Sequence, residues 1–194
     1  NTGAPTTGEP ALQLYGEGMT TCTVFNGDVA IGFDGAADEV DVLEVQQVDV
    51  TKQKTTVCLG PAVTDRAGTG DPDVIQDAGT VRAHCDVDVM TCRGGTYYQE
   101  EGKWATATVA GNGVAYIRES ATSKTFTTTT AYPGSHVIVN PEKTMTFTNV
   151  TAYGGSQFTS KNLHTFSNPI STPDGYGVGG AILNFGPGTN VAPT

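Results

Sequence analysis

Apolar and polar residues alternate in short runs along this chain, and turn residues break the runs roughly every 8 to 12 positions. Strands are predicted at residues 11–15, 20–26 and 28–33, with Asn26-Gly27-Asp28 as a tight hairpin turn. Residues 40–50 form the next. Their apolar positions fall on Val40 and Val42, shift to Leu43 and Val45, then return to Val48 and Val50, as a strand interrupted by a bulge would place them. Residues 54–58, 80–84 and 85–91 continue the pattern, whereas 60–79 read as a long loop. Further strands are predicted at 104–109, 113–119, 124–132, 136–139, 143–152 and 176–185, with Asn112-Gly113 marking a second hairpin. Short strands at this spacing predict an all-β, antiparallel β-sandwich or jelly-roll-like single domain.

Composition agrees with strands. The chain of 194 residues holds 31 Thr, 20 Val and 25 Gly against 6 Leu, and β-branched side chains suit a pleated surface better than a helix. Residues 1–10 and 186–194 are rich in Pro, Gly and Thr and read as extended tails around a domain spanning 11–185. That domain has an acidic, cysteine-containing half (11–101) and a Thr/Gly-rich half (102–185), with no flexible linker between them.

The formal net charge is -10, which repels phosphate backbones and argues against nucleic acid as a partner. No apolar run approaches the roughly 20 residues of a membrane-inserted helix. The chain begins with Asn1, which reads as N-terminal processing on the way to an extracellular, cell-surface or virion location. Cys22, Cys58, Cys85 and Cys92 form an even set without a CxxC pair, so two disulfides stapling the first half are expected rather than zinc. Their pairing stays open. If 85–92 is one strand, each of its cysteines reaches back to Cys22 or Cys58; a turn at Asp86 or Asp88 gives Cys22–Cys58 and Cys85–Cys92.

No GxSxG, HExxH, GxxxxGK[ST] or GxGxxG element is present, and His84, His136 and His164 show no catalytic spacing, so the expectation is a non-enzyme. Asp71, Asp73 and Asp77 in the 60–79 segment form a weak calcium motif, with Asp86 and Asp88, or Asp34, Asp38, Glu39 and Asp41, as further carboxylate groups. Asn149-Val150-Thr151 is a glycosylation sequon. Tyr97, Tyr98 and Trp104 would serve as an aromatic platform for a glycan.

One internal echo stands out. Residues 125–135 (TFTTTTAYPGS) return 21 positions later as 146–156 (TFTNVTAYGGS), matching at eight of eleven positions. Two copies fall short of the three or so repeats a solenoid needs, so the echo is read as two adjacent strands with similar turns rather than a ligand- or ice-facing Thr ladder. The function expected is a structural subunit of an extracellular assembly, with copies of the chain as partners. It would polymerise by pairing the end segments 2–15 and 176–185 with a neighbour's sheet edge. A secreted carbohydrate-binding module, with calcium, is the alternative.

Overall fold

The computed structural model describes residues 12–34, 37–46, 55–68, 70–118, 122–160, 162, 164–173, 180–185 and 190–191. One sheet runs β1 (Leu12–Leu14), β3 (Asp28–Ile31), β5 (Thr56–Leu59), β8 (Thr80–Ala83), β10 (Thr96–Gln99), β12 (Val114–Ile117), β14 (His136–Val139), β16 (Gln157–Ser160), β18 (Ile182–Phe185). The other runs β2 (Met19–Val24), β4 (Asp38–Val45), β7 (Asp73–Gln76), β9 (Val87–Cys92), β11 (Trp104–Val109), β13 (Thr125–Ala131), β15 (Thr146–Ala152), β17 (Thr165–Phe166), β19 (Asn190–Val191). The short β6 (Val63–Thr64) pairs with β4 alone. We call these the first and second sheets.

The chain is all-β, as expected, but it is not an antiparallel sandwich. Every strand pairing among the described residues is parallel. The chain visits the sheets alternately and climbs one rung with each visit, which makes a flattened β-solenoid. The same pattern misleads at sequence level for a physical reason. A corner between two sheets uses the same Gly, Asn and Asp chemistry as a hairpin turn. Asn26-Gly27 thus joins β2 to β3 and Asn112-Gly113 joins β11 to β12, each crossing from one sheet to the other rather than closing a hairpin. The segment at 60–79, read as a loop, contributes β6 and β7, and the 85–91 strand starts only at Val87, after a corner at 84–86.

The interior repeats from rung to rung. In the second sheet the inward residues are spaced by three and then two: Val40, Leu43, Val45; Val87, Met90, Cys92; Trp104, Ala107, Val109; Phe126, Thr129, Ala131; Phe147, Val150, Ala152. Register pairing skips the same place in successive rungs, so the strands bend together. The phase change read in 40–50 is this bend, while Val48 and Val50 lie outside the described residues. Identical positions then stack. Trp104 meets Phe126 at 4.8 Å, Phe126 meets Phe147 at 5.2 Å and Phe147 meets Phe166 at 5.3 Å between ring centroids. Burying such rings contributes about 1.5–3 kcal/mol each. The echo at 125–135 and 146–156 is two successive coils in register, Phe126 beside Phe147 and Ala131 beside Ala152, so the solenoid reading set aside above is the right one.

Corners need glycine where rungs close up. Gly95 has a φ of +76°, and a Cβ there would lie 2.2 Å from the Gly79 carbonyl oxygen one coil below. Buried glutamines satisfy corner carbonyls: Gln76 Nε2 donates to Gly79 O (3.0 Å) and Thr96 O (3.2 Å), and Gln99 Nε2 donates to Cys85 O (2.7 Å). One continuous core links both halves of the chain.

The disulfide expectation is also overturned, because all four cysteines are free. None of the four has another as its register neighbour. Cys22 pairs with Leu43, Cys58 with Ala30 and Arg82, and Cys92 with Gln76 and Val109. Cys85 and Cys92 flank opposite ends of β9. Of the tails, residues 1–10 lie outside the described residues, as do 186–189 and 192–194, while 190–191 form β19 beside β17.

Candidate functional site

Corners stacked along one edge of the solenoid leave an open cleft of about 510 Å³. Its walls include Asp71, the 84–86 corner, Glu101-Gly102 and Lys124, drawn from several successive coils. Asp86 anchors it: Oδ1 accepts from Lys103 N at 3.1 Å, and Oδ2 lies 3.9 Å from Lys103 Nζ. Burial, then the Asp86 charge, holds the Asp71 carboxyl above the usual carboxylate range. Burial likewise holds His84 below its usual value, its ring set edge-on to Phe33 at 5.7 Å. The neighbouring Cys85 thiol is pushed up to about 12 by burial and belongs to the core, so it is no nucleophile at neutral pH. The cleft offers acceptors and a neutral imidazole but no relay from base to nucleophile.

The outer face of the first sheet carries an ion-pair ladder. Arg82 pairs with Glu100, Arg118 Nε lies 3.5 Å from Glu100 Oε2, and the Arg82 guanidinium sits 4.5 Å over Tyr98. Tyr98 stacks on Tyr116 at 5.0 Å. The Arg82 Nε is nevertheless buried without a hydrogen-bond partner among the described residues.

The outer face of the second sheet is different. Thr91, Thr108, Thr130 and Thr151 are register neighbours on four successive rungs, and Ser171 bridges onward from Thr151. Two residues before them, Val89, Thr106, Thr128 and Asn149 form a parallel rank. Neither rank contains a charge. Among the described residues no protein group hydrogen-bonds a threonine hydroxyl in them, and Thr106, Val89 and Asn149 are exposed.

The residues singled out in the sequence disperse. Asp71 lines the cleft, Asp73 Oδ1 accepts from Val89 N at 3.1 Å, and Asp77 pairs with Arg93 at 2.6 Å at the far end of β7. Among the described residues no group of three His, Cys, Asp or Glu side chains is placed to hold a metal. Asp38, Glu39 and Asp41 tie down loops: Asp38 accepts from Gly16 N, Glu39 from Gly18 N at 2.9 Å, and Asp41 from Arg66 N at 2.7 Å. Tyr97 and Trp104 are wholly buried, so of the proposed glycan platform only Tyr98 faces outward, and it is covered by arginine. Asn149 is exposed on β15 and accepts from Asn168 Nδ2 at 2.7 Å. His136 Nε2 meets Thr159 Oγ1 at 2.9 Å, and His164 is buried with Nδ1 accepting from Met145 N at 3.1 Å.

The threonine rank is the ladder that the sequence reading weighed on the 21-residue echo and set aside in favour of two adjacent strands with similar turns. No family model, curated protein or solved structure matches the chain.

Proposed function

We propose that the chain is a non-enzymatic structural element of an extracellular assembly, and that copies associate by continuing one another's sheets. The observation that carries this reading is the uniform parallel stacking of both sheets. A parallel solenoid looks the same one rung up, so the edge strand at one end presents N–H and C=O groups in the register that the other end's edge strand requires. Such a head-to-tail contact is heterologous and leads to open filaments. Among the described residues β2 is the outermost strand of its sheet, with Thr20, Thr21 and Thr23 exposed; it carries no lysine, and the charges that touch it are Arg66 on Thr20 and Glu44 on Thr23. The low proportion of charged residues, 15%, fits a surface meant for contact rather than for solubility alone.

The test is the size distribution of the native chain by light scattering and electron microscopy, compared with Thr20→Lys/Thr21→Lys. Concentration-dependent association that the double variant abolishes, with an unchanged circular dichroism spectrum, is the expected result. A wild-type chain that stays monomeric at millimolar concentration rejects the reading. The glycan-binding alternative is left with Tyr98 alone of its aromatic platform.

A further inference from the structure

The geometry of the second sheet's outer face points to a ligand that is itself periodic, and we infer that the threonine rank, with the mixed rank of Val89, Thr106, Thr128 and Asn149 beside it, is a binding face for the surface of ice. Rungs of a sheet are about 4.7–4.9 Å apart, and ranks two residues apart along a strand are separated by about 6.6–6.8 Å. In tetrahedral water, two oxygens bonded to one shared molecule lie about 4.5 Å apart, given O···O distances near 2.75 Å. Hydroxyls on successive rungs therefore recur with nearly the interval at which ordered water repeats. The Thr91, Thr108, Thr130, Thr151 rank keeps that interval over four rungs, and Ser171 adds a fifth hydroxyl.

Three further features of this face select an ordered water lattice over other occupants. First, the hydroxyls have no protein partner among the described residues, so they are available to water. Second, threonine is stiff at χ1 and its backbone is locked in a ladder, so the array keeps its spacing without ordering flexible side chains on contact. Each threonine hydroxyl is accompanied by a methyl group, which disfavours disordered water beside it. Third, both ranks are uncharged on a chain of net charge -10; a carboxylate of the same face, Asp73, accepts from Val89 N at the array's first end. The amide in the ranks, Asn149, is engaged by Asn168 Nδ2 at 2.7 Å, the stacked Tyr132–Tyr153 pair sits at the corner two residues beyond Thr130 and Thr151, and the Tyr98–Tyr116 stack and the acidic cleft lie elsewhere. Straight pairing from Thr106 to Val109 and from Thr128 to Ala131 keeps the two ranks on one flat segment beyond the bend.

This inference is independent of self-association, since a single copy presents the whole array. The experiment grows ice slowly from a dilute solution of the full chain and measures the fraction of protein taken into the ice, together with the shape of single ice crystals. Thr130→Lys places a charge at the centre of the array, Thr151→Lys repeats the test one rung away, and Gln157→Lys is an exposed control on the first sheet. Circular dichroism confirms that each variant is folded. Wild type and Gln157→Lys should partition into ice and facet the crystals, and the two threonine variants should be rejected at least tenfold more strongly. Exclusion of the wild type from ice, as for any inert solute, overturns the inference. So does retention of activity in both threonine variants. Threonine-dependent pelleting with crystalline chitin or cellulose, without ice uptake, would assign the face to a glycan instead and equally overturn it.

Discussion

Burial pushes the thiols of Cys58, Cys85 and Cys92 up to about 12, which removes them from redox chemistry while the chain is folded. The even count of cysteines suggested bridges, but parity says nothing about where the fold places each side chain. All four thiols should react with a disulfide reagent in denaturant without prior reduction, and dithiothreitol should leave the melting temperature unchanged. A titre near zero would restore the bridges. His164 makes a second prediction. Its Nδ1 accepts from Met145 N, so the buried ring is neutral, and burial holds its value below the usual histidine range. The unfolded chain then binds more protons below about pH 6.5, so stability falls as pH drops through that range. His84 and His136 shift the same way. Asp71 and Asp73 are raised by burial and act oppositely, gaining stability in more acidic solution as they take up protons before the unfolded chain does. The melting temperature should decline from pH 7 towards 5, and the decline should be shallower in His164→Gln. A flat profile would show that protonation is not opposed by burial.

The bend in the second-sheet strands rests on particular contacts. Thr129 is buried at the inward position of β13, and its hydroxyl accepts from Trp104 Nε1 at 3.0 Å. Thr129→Val keeps the shape but strands the indole N–H, which should cost about 1–3 kcal/mol in denaturant unfolding. Thr129→Ser keeps the acceptor and should lose far less from that bond, so equal losses would reject the hydrogen bond as the cause. Phe147→Ala, at the centre of the aromatic stack, should cost about 3–5 kcal/mol. At this scale much was legible. Strand content, the phase change at Val42 and Leu43, and the turn residues were all in the sequence. The direction of pairing was not, because a two-strand coil and a hairpin have the same local alternation and the same punctuation. The coil length also varies: Thr80 to Thr96 is 16 residues, and Gln157 to Ile182 is 25. Only two neighbouring coils therefore kept a spacing regular enough to expose the repeat. The candidate hydroxyl face was hidden with it, since Thr108, Thr130 and Thr151 become one rank only when register is known. The carboxylates misled in the same way, since Asp73 opens β7 and Asp77 follows its last residue, each serving a different end.

Across the molecule, a coil in the middle of the stack has hydrogen-bonded neighbours above and below, and an end coil has one. Stability in such an array is a sum of coil and interface contributions. Hydrogen exchange should accordingly be slowest in β9, β11, β13 and β15 and their first-sheet counterparts, and faster in β1, β2 and β18. Uniform protection along the chain would mean that the solenoid opens as one unit instead. The varying coil length has a further consequence for how such a chain tolerates changes in length. Residues added between β5 and β7 leave the ladder intact and build part of the wall of the acidic cleft; corners can absorb insertions and acquire new surfaces. Strands cannot. Removing Thr130, for example, would make the buried Thr129 and Ala131 adjacent and so place them on opposite faces of the sheet. Length polymorphism in this protein should therefore collect at the corners, while the strands hold a fixed count.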